Sequence, residues 1–238
     1  MNKIIYVSAF ILGGCIISNG SSNKETKLPE GGKTVEVKSF KAIHADGVFN
    51  IYLTQGSKEG IVVKGYYPAD LKISNNGDTL MVEDTSSTHN IGHIDVNTDI
   101  YITLVDISSI EVASVGKTQC TDTLKLKKLD FSAEGVGSTS LWVNADTIIG
   151  SEDGVGSIAF KGASKYAEIS DNGVGSLDAE NFMVDVLHVN VNGVGSASVY
   201  ASKEIYMESS GVGGIKYRGS AKVVQSESNG IGSIKHID

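Results

Sequence analysis

A tetrapeptide, Gly-Val-Gly-Ser or a near copy of it, recurs through the second half of this chain and sets what the chain can fold into. Copies begin at Gly135, Gly154, Gly173, Gly193, Gly211 and Gly230, in steps of 19, 19, 20, 18 and 19 residues. A less regular copy, Ser114-Val115-Gly116-Lys117, lies 21 residues before the first. A unit this short cannot bury an inner face by itself. Stacked on its neighbours it builds one continuous core, with backbone hydrogen bonds running from copy to copy at ~4.8 Å.

Aligning the copies gives columns. After the motif, Thr139, Ile158, Leu177, Ala197, Ile215 and Ile234 form one apolar column, and Leu141, Phe160, Ala179, Val199, Tyr217 and His236 form another two places on. Between them stand Ser140, Ala159, Asp178, Ser198, Lys216 and Lys235. Apolar, polar, apolar is the period of a strand with one buried face. Upstream, Leu129, Ile148, Ala167, Leu187, Ile205 and Val224 make a similar column, followed two places later by Phe131, Gly150, Ile169, Val189, Met207 and Ser226. Each repeat therefore holds at least two short strands and a glycine corner. The fold class this predicts is all-β, a right-handed parallel β-helix with coils of about 19 residues. A leucine-rich repeat would carry its Leu and Asn signature, and a propeller blade needs about 40 residues.

The corner is expected to need glycine for backbone angles with φ above zero, at Gly135, Gly137, Gly154, Gly156, Gly173, Gly175, Gly193, Gly195, Gly211, Gly213, Gly230 and Gly232. The motif valine is expected to point inward and stack on itself. Just before the corner, Glu134, Asp153, Asn172, Asn192, Ser210 and Asn229 predict a polar ladder along one edge.

Residues 34–113 are strand-like as well, with turn signals such as Asn76-Gly77-Asp78. Ile43, Ala45, Gly47-Val48, Ile51 and Leu53 fall into the same columns, and so do Ile110, Val112, Val115, Thr118 and Cys120. The first half then reads as the same solenoid, with an excursion from Gly60 to Asp106 bulging from one coil. Cys120 falls in an inward column, which suits an inert buried thiol.

The segment FKAIHADGVFNIYLTQGSKEGIVVKGY at 40–66, the LKISNNGDTLMVED strand pair and the later Gly-x-Gly corners resemble the bacterial family named putative auto-transporter adhesin, head GIN domain. The resemblance covers about residues 34–238. It implies a β-helical fold on an exported, often lipid-anchored protein, and it carries no catalytic residues.

The N-terminus bears on address. MNKIIYVSAFILGGC has one lysine, an apolar run of about ten residues and then small residues, too short to span a bilayer as a helix. It reads as a lipoprotein-type signal over 1–14, with Cys15 the lipidated residue and 15–33 a flexible tether. The folded domain is expected to be continuous, its N-terminal part at 34–113 and its regular coils at 114–238. Removing residues 1–14 takes away Lys3, so the formal charge of −8 becomes −9. With a single arginine, Arg218, there is no electrostatic footprint for nucleic acid.

The glycine motif lacks the Lys-Ser/Thr and the following helix of a phosphate loop. Calcium candidates are Glu134, Glu152, Asp153 and Asp171 at successive corners, although the Gly-Gly-x-Gly-x-Asp nonapeptide of calcium β-rolls is absent, and solvated corners are the plainer account. His89 and His93 in HNIGH fit an exposed turn better than a zinc site, since no third ligand is evident. Trp142, Tyr200, Asp178 and Glu180 mark a candidate binding face, a strip for carbohydrate or a surface protein. The expectation is a non-catalytic, cofactor-free module of the cell envelope, structural or adhesive, held at the membrane by its lipid. Its rivals are a calcium-binding solenoid and a carbohydrate-active β-helix, the latter requiring a groove that contains Asp178, Glu180 or Lys216. Self-association at an open solenoid end is a further expectation.

Overall fold

A computed structural model describes residues 26–27, 31–85 and 96–238. Cys15 and the His89–His93 segment lie outside the described residues. Eighteen strands join in one sheet that winds around a single core, and no helix occurs among the described residues. The N-terminal strands are β1 (Thr26–Lys27), β2 (Lys33–Val35), β3 (Ala42–Val48), β4 (Asn50–Gln55), β5 (Gly60–Tyr67), β6 (Leu71–Asn76), β7 (Thr79–Asp84) and β8 (Thr98–Leu104). Then come β9 (Ser109–Cys120), β10 (Leu124–Lys125) and β11 (Lys128–Ala133). Four long strands follow, β12 (Val136–Glu152), β13 (Val155–Asp171), β14 (Val174–Val191) and β15 (Val194–Ser209), each bending around the solenoid. The last are β16 (Val212–Arg218), β17 (Lys222–Ser228) and β18 (Ile234–His236).

Successive coils pair in parallel, and next to the motif they keep the register of the repeat. Thr139 pairs with Ile158, Ile158 with Leu177, Leu177 with Ala197 and Ala197 with Ile215. The inward columns are buried as the two-residue period requires. Among them Phe160 lies edge-on to Phe131 at 6.2 Å and tilted against Phe182 at 5.6 Å. Each such fully buried ring or aliphatic chain contributes roughly 1.5–3 kcal/mol, and the column repeats it rung by rung. Departures from a 19-residue step have a local cost. The 20-residue step from Gly173 to Gly193 is absorbed by a register shift opposite Ala159–Lys161, and the 18-residue step after it by shifts between Ala179 and Val186.

The motif valine does not point inward. Val136, Val155, Val174, Val194 and Val212 are 48–52% exposed, and Ile231 is 75% exposed. Together with Val48 and Val115 they pair rung to rung as an exterior ladder along the corner. The glycines carry two constraints rather than one. At the second glycine, as in Gly137 and Gly156, φ is positive (155° and 156°). At the first, as in Gly193, φ is unexceptional, but a Cβ would overlap the carbonyl oxygen of Gly173 in the coil before. A side chain at either place would push adjacent coils apart.

The excursion expected at Gly60–Asp106 is not a bulge. β7 pairs parallel with β3, Ile43 opposite Leu80, and β8 pairs parallel with β4, Ile51 opposite Ile100, so β7 and β8 form a coil of their own. That coil lies outside β3 and β4, while β9 stacks on their other side with Ile43 opposite Ile110 and Leu53 opposite Cys120. The outermost coil is in turn covered by antiparallel strands, β5 against β8 and β6 against β7, with β2 and β1 against β5. Stacking order thus differs from chain order at this end. At the other end β17 is exposed at every residue, with Val223 at 40% and Val224 at 44%.

Candidate functional site

Backbone ladders fix every outward side chain at a set height, so the outer surface is a grid. Alternate residues of a strand stand in one row, and successive coils repeat that row at ~4.8 Å. The chemistry of the molecule lies in what the grid places side by side.

On the face after the motif, Trp142 is half-buried against the core and Lys161, its partner on the next coil, sets its ammonium 5.3 Å from the ring centroid. Tyr200 is also half-buried, with Arg218 opposite on the next coil. Glu180 pairs with Arg218 at 3.6 Å, and Asp178 accepts a hydrogen bond from the Glu180 backbone at 3.3 Å. These residues share one face, but Trp142 is covered by a lysine and the carboxylates are engaged locally. Lys216 is exposed on the same face. Neither it nor Asp178 nor Glu180 lines either of the two recesses described below.

The corner carries its polar ladder outward. Asn172 donates to Asp153 at 2.9 Å, Asn192 donates to Asn172 at 3.1 Å, and Ser210 donates to Asn192. The four acidic calcium candidates divide between two environments. Glu134 and Asp153 are exposed, whereas Glu152 and Asp171 occupy an inward column between Ala133 and Val191 and are 7% and 3% exposed. The expectation of solvated corners is therefore wrong for this pair. Burial first, then the hydrogen bond to Asp171 and the negative charges of Asp171 and Asp153, push the Glu152 carboxyl up to about 7. Glu152 therefore holds its proton more readily than a solvated carboxyl does. Beside it, Gly150 interrupts a column of large side chains and leaves about 10 Å³, the room of one water. Among the described residues no group of three or more His, Cys, Asp or Glu side chains is placed to hold a metal ion.

On the face before the motif, outward columns that the repeat does not conserve enclose a polar recess of about 160 Å³. Its floor is the middle coil. His188 stacks on Tyr206 at 4.0 Å and 8°, and Tyr166 closes the other side at 5.4 Å. Two places along β14 stands Asn190, whose Oδ1 is buried without a hydrogen-bond partner. Glu168, one coil before, and Glu208, one coil after, complete the rim on opposite sides. Tyr166 donates to Glu168, on the rim, at 3.3 Å, and Tyr206 donates to Glu204, outside the recess, at 3.1 Å. His188 stands between inward Leu187 and Val189, so the two-residue period puts it outward, but the period alone does not find the recess. The signal is present in the column Glu168, His188, Tyr206, where two rings and a carboxylate follow one another on an exposed strand face.

A wider, shallower depression of about 480 Å³ lies at the next corner, bordered by Met183 and by the Lys165 to Asp146 ion pair. Cys120 is buried, and burial pushes its thiol up to about 11, although a backbone hydrogen bond from Trp142 works the other way. His236 is exposed in the last coil, tilted against Tyr217 at 4.9 Å.

Solved structures share this architecture. A putative adhesin from Bacteroides fragilis NCTC 9343 is 28% identical and superposes with a TM-score of 0.79, over 86% of this chain and 95% of that one. A putative lipid binding protein from Parabacteroides distasonis ATCC 8503 is 16% identical, with a TM-score of 0.66 over 87% and 98%. A putative adhesin from Parabacteroides merdae ATCC 43184 is 18% identical, with a TM-score of 0.63 over 88% and 98%. The last two likenesses are of fold. No curated protein sequence matches the chain. The sequence profile of the family described as putative auto-transporter adhesin, head GIN domain, matches residues 39–221, and with its glycine corners, stacked coils and capped N-terminal end the chain belongs to that family.

Proposed function

We propose that this protein is a non-catalytic, exported module of the cell envelope that binds a partner through the outward grid of its solenoid, and that Cys15 carries its lipid anchor. The observation that carries this reading is the rigid display of non-repeating side chains. The repeat conserves the corner and the inward columns, while the outward residues on the faces differ from coil to coil. A scaffold held by parallel ladders on both sides of each coil presents such residues with little entropy left to lose on binding. Membership of a family named for adhesins, and the 28% identical adhesin of B. fragilis, support the same direction. The apolar run before Cys15 supports export and anchoring.

Immobilised protein is expected to capture a partner from an array of glycans and envelope or matrix proteins, and to do so without consuming it. Turnover of a glycan, lost in Asp178→Asn and Glu180→Gln variants, would replace this reading with the enzymatic one. For the anchor, cells fed a radiolabelled fatty acid are expected to label the full chain and not Cys15→Ala; equal labelling of both would refute lipidation at this residue.

A further inference from the structure

One outward column does not vary. On the faces the outward residues change from coil to coil, yet along the corner Val136, Val155, Val174, Val194, Val212 and Ile231 repeat one aliphatic type over six rungs, 48–75% exposed. They are six of the eleven large hydrophobic side chains exposed among the described residues. An outward position accepts a polar residue at little cost, so the fold does not require this column. One flanking column carries Glu134 and Asp153 and is neutral beyond them; the other is serine or glycine from Ser138 to Ser233. A continuous apolar ladder with no cation beside any of its six rungs has the character of an interaction surface.

We propose that this ladder is the contact between two copies of the chain, laid side by side with their stacks parallel and related by a two-fold axis along the stack. The proposal stands apart from the binding reading above and does not rest on it. Period selects the occupant. The rungs recur at the ~4.8 Å spacing of adjacent strands, and a second stack has that spacing by construction. Each valine therefore meets its own counterpart along the whole ladder, as identical side chains do between paired β-sheets.

Charge selects the direction. With the axis along the stack, residues before the valine in one copy face residues after it in the other. Glu134 and Asp153 then meet the hydroxyls of Ser138 and Ser157, and Lys117, one rung earlier in the serine column, comes diagonal to Glu134. Further out, Glu208 and Glu227 of one copy fall on the same side as Lys216 and Lys235 of the other, at the same two rungs. Reversing one stack would set each flank against itself and lose all of these pairs. Area sets the strength. Six rungs at ~4.8 Å by three columns at about 6.7 Å cover roughly 580 Å² on each copy, about 1,150 Å² in all, just below the usual range of stable specific interfaces. The dimer is therefore weak and reversible.

The test is sedimentation equilibrium of the full chain carrying Cys15→Ala, which leaves buried Cys120 as its only thiol. A monomer–dimer equilibrium is expected, with a dissociation constant between about 10 μM and about 1 mM. Val174→Glu and Val174→Lys should each raise that constant tenfold or more by setting like charges face to face, and an equimolar mixture of the two should dimerise again. Val136→Cys should give a disulfide-linked dimer on mild oxidation, because residue 136 meets residue 136 only when the stacks are parallel; in a reversed pair it lies opposite Ile231. A strict monomer, a dimer undisturbed by both charged variants, charged variants that fail to pair on mixing, or a Val136→Cys chain that links only to an Ile231→Cys chain would each overturn the proposal. Association that survives the charged variants would place the contact elsewhere, at the open coil of β17.

Discussion

The two ends of this solenoid meet solvent differently. At the N-terminal end the outermost coil, β7 and β8, is covered by β5 and β6 running antiparallel to it, and Ile61, Val63 and Leu71 of those strands are at most 5% exposed. At the C-terminal end β17 exposes every residue, and apolar Val223 and Val224 with them. The difference follows from the sequence. A repeat can only stack another copy of itself and always leaves one open rung, so closing an end requires a stretch that abandons the repeat. Residues 60–84 do so, with hairpin chemistry at Asn76-Gly77-Asp78, and the C-terminal coil keeps the motif to Gly232. Parallel stacking supplies length. An antiparallel cover supplies an end.

Substitutions can break this comparison or sharpen it. The largest effect is expected at a corner glycine in mid-stack. Gly175→Val sets a side chain against the carbonyl of Gly156 with coils on both sides unable to move away, and should cost more than about 4 kcal/mol or prevent folding. The same change at Gly232, in the last coil, should cost much less because that coil has a free side. Equal losses in denaturant unfolding would show that the end coil is held as firmly as the middle.

The second effect compares the covers. Ile61→Ala removes a fully buried side chain from the N-terminal cover and should cost about 2–5 kcal/mol, whereas Val223→Ala at the open end should stay within about 0.5 kcal/mol. Similar midpoint shifts for the two would mean that the open rung is covered in solution.

A third prediction concerns a weak point that neither end has. Folding raises the Glu152 carboxyl from 4.5 to about 7, so the folded state holds that proton more tightly than the unfolded chain. The stability this brings is complete below pH ~4.5 and declines as pH rises through about 7, then levels off. Relative to the parent, Glu152→Gln should gain stability on the order of 2–3 kcal/mol between pH 5 and pH 8. Unfolding curves of the two proteins with the same pH slope would count against the buried pair.

The smallest effect is expected on the exterior ladder. Val174→Ser, half-exposed at the corner, should change stability by no more than about 0.5 kcal/mol. A cost near that of Ile61→Ala would restore the inward role expected of the motif valine.

Much of the fold was legible because stacking makes columns. The inward assignment of Ile158, Leu177 and Ile215, the buried Cys120 and the alignment of Ile43 with Ile110 all come from counting residues between glycine corners, and the structure has them so. The valine was misread although the count held the answer. Val155 stands three places before inward Ile158, an odd offset that puts it outside, and the inward parity falls to the glycines on either side. An apolar side chain at an outward position is what the pattern of types, taken without parity, does not reveal. The same parity puts Glu152 and Asp171 inside, where their charge suggested outside.

The antiparallel cover and the reversed stacking order were not legible, since one sequence strand gives no sign of which neighbour it will choose. The recess around His188 was only partly so. Its residues lie in columns that the repeat leaves free, and the unpartnered oxygen of Asn190 becomes visible only when three coils are set side by side.

The glycine corner has a consequence for how such a molecule changes in size. Because each coil meets the next through the same carbonyls and the same bare Cα positions, a whole coil could be excised between Gly154 and Gly173, or one added there, and the ladders at the corner would rejoin in register. The cross-section is fixed by chemistry, whereas the number of coils is a count that duplication can alter. The length of the stack is then a quantity that one genetic event changes by a single ~4.8 Å step.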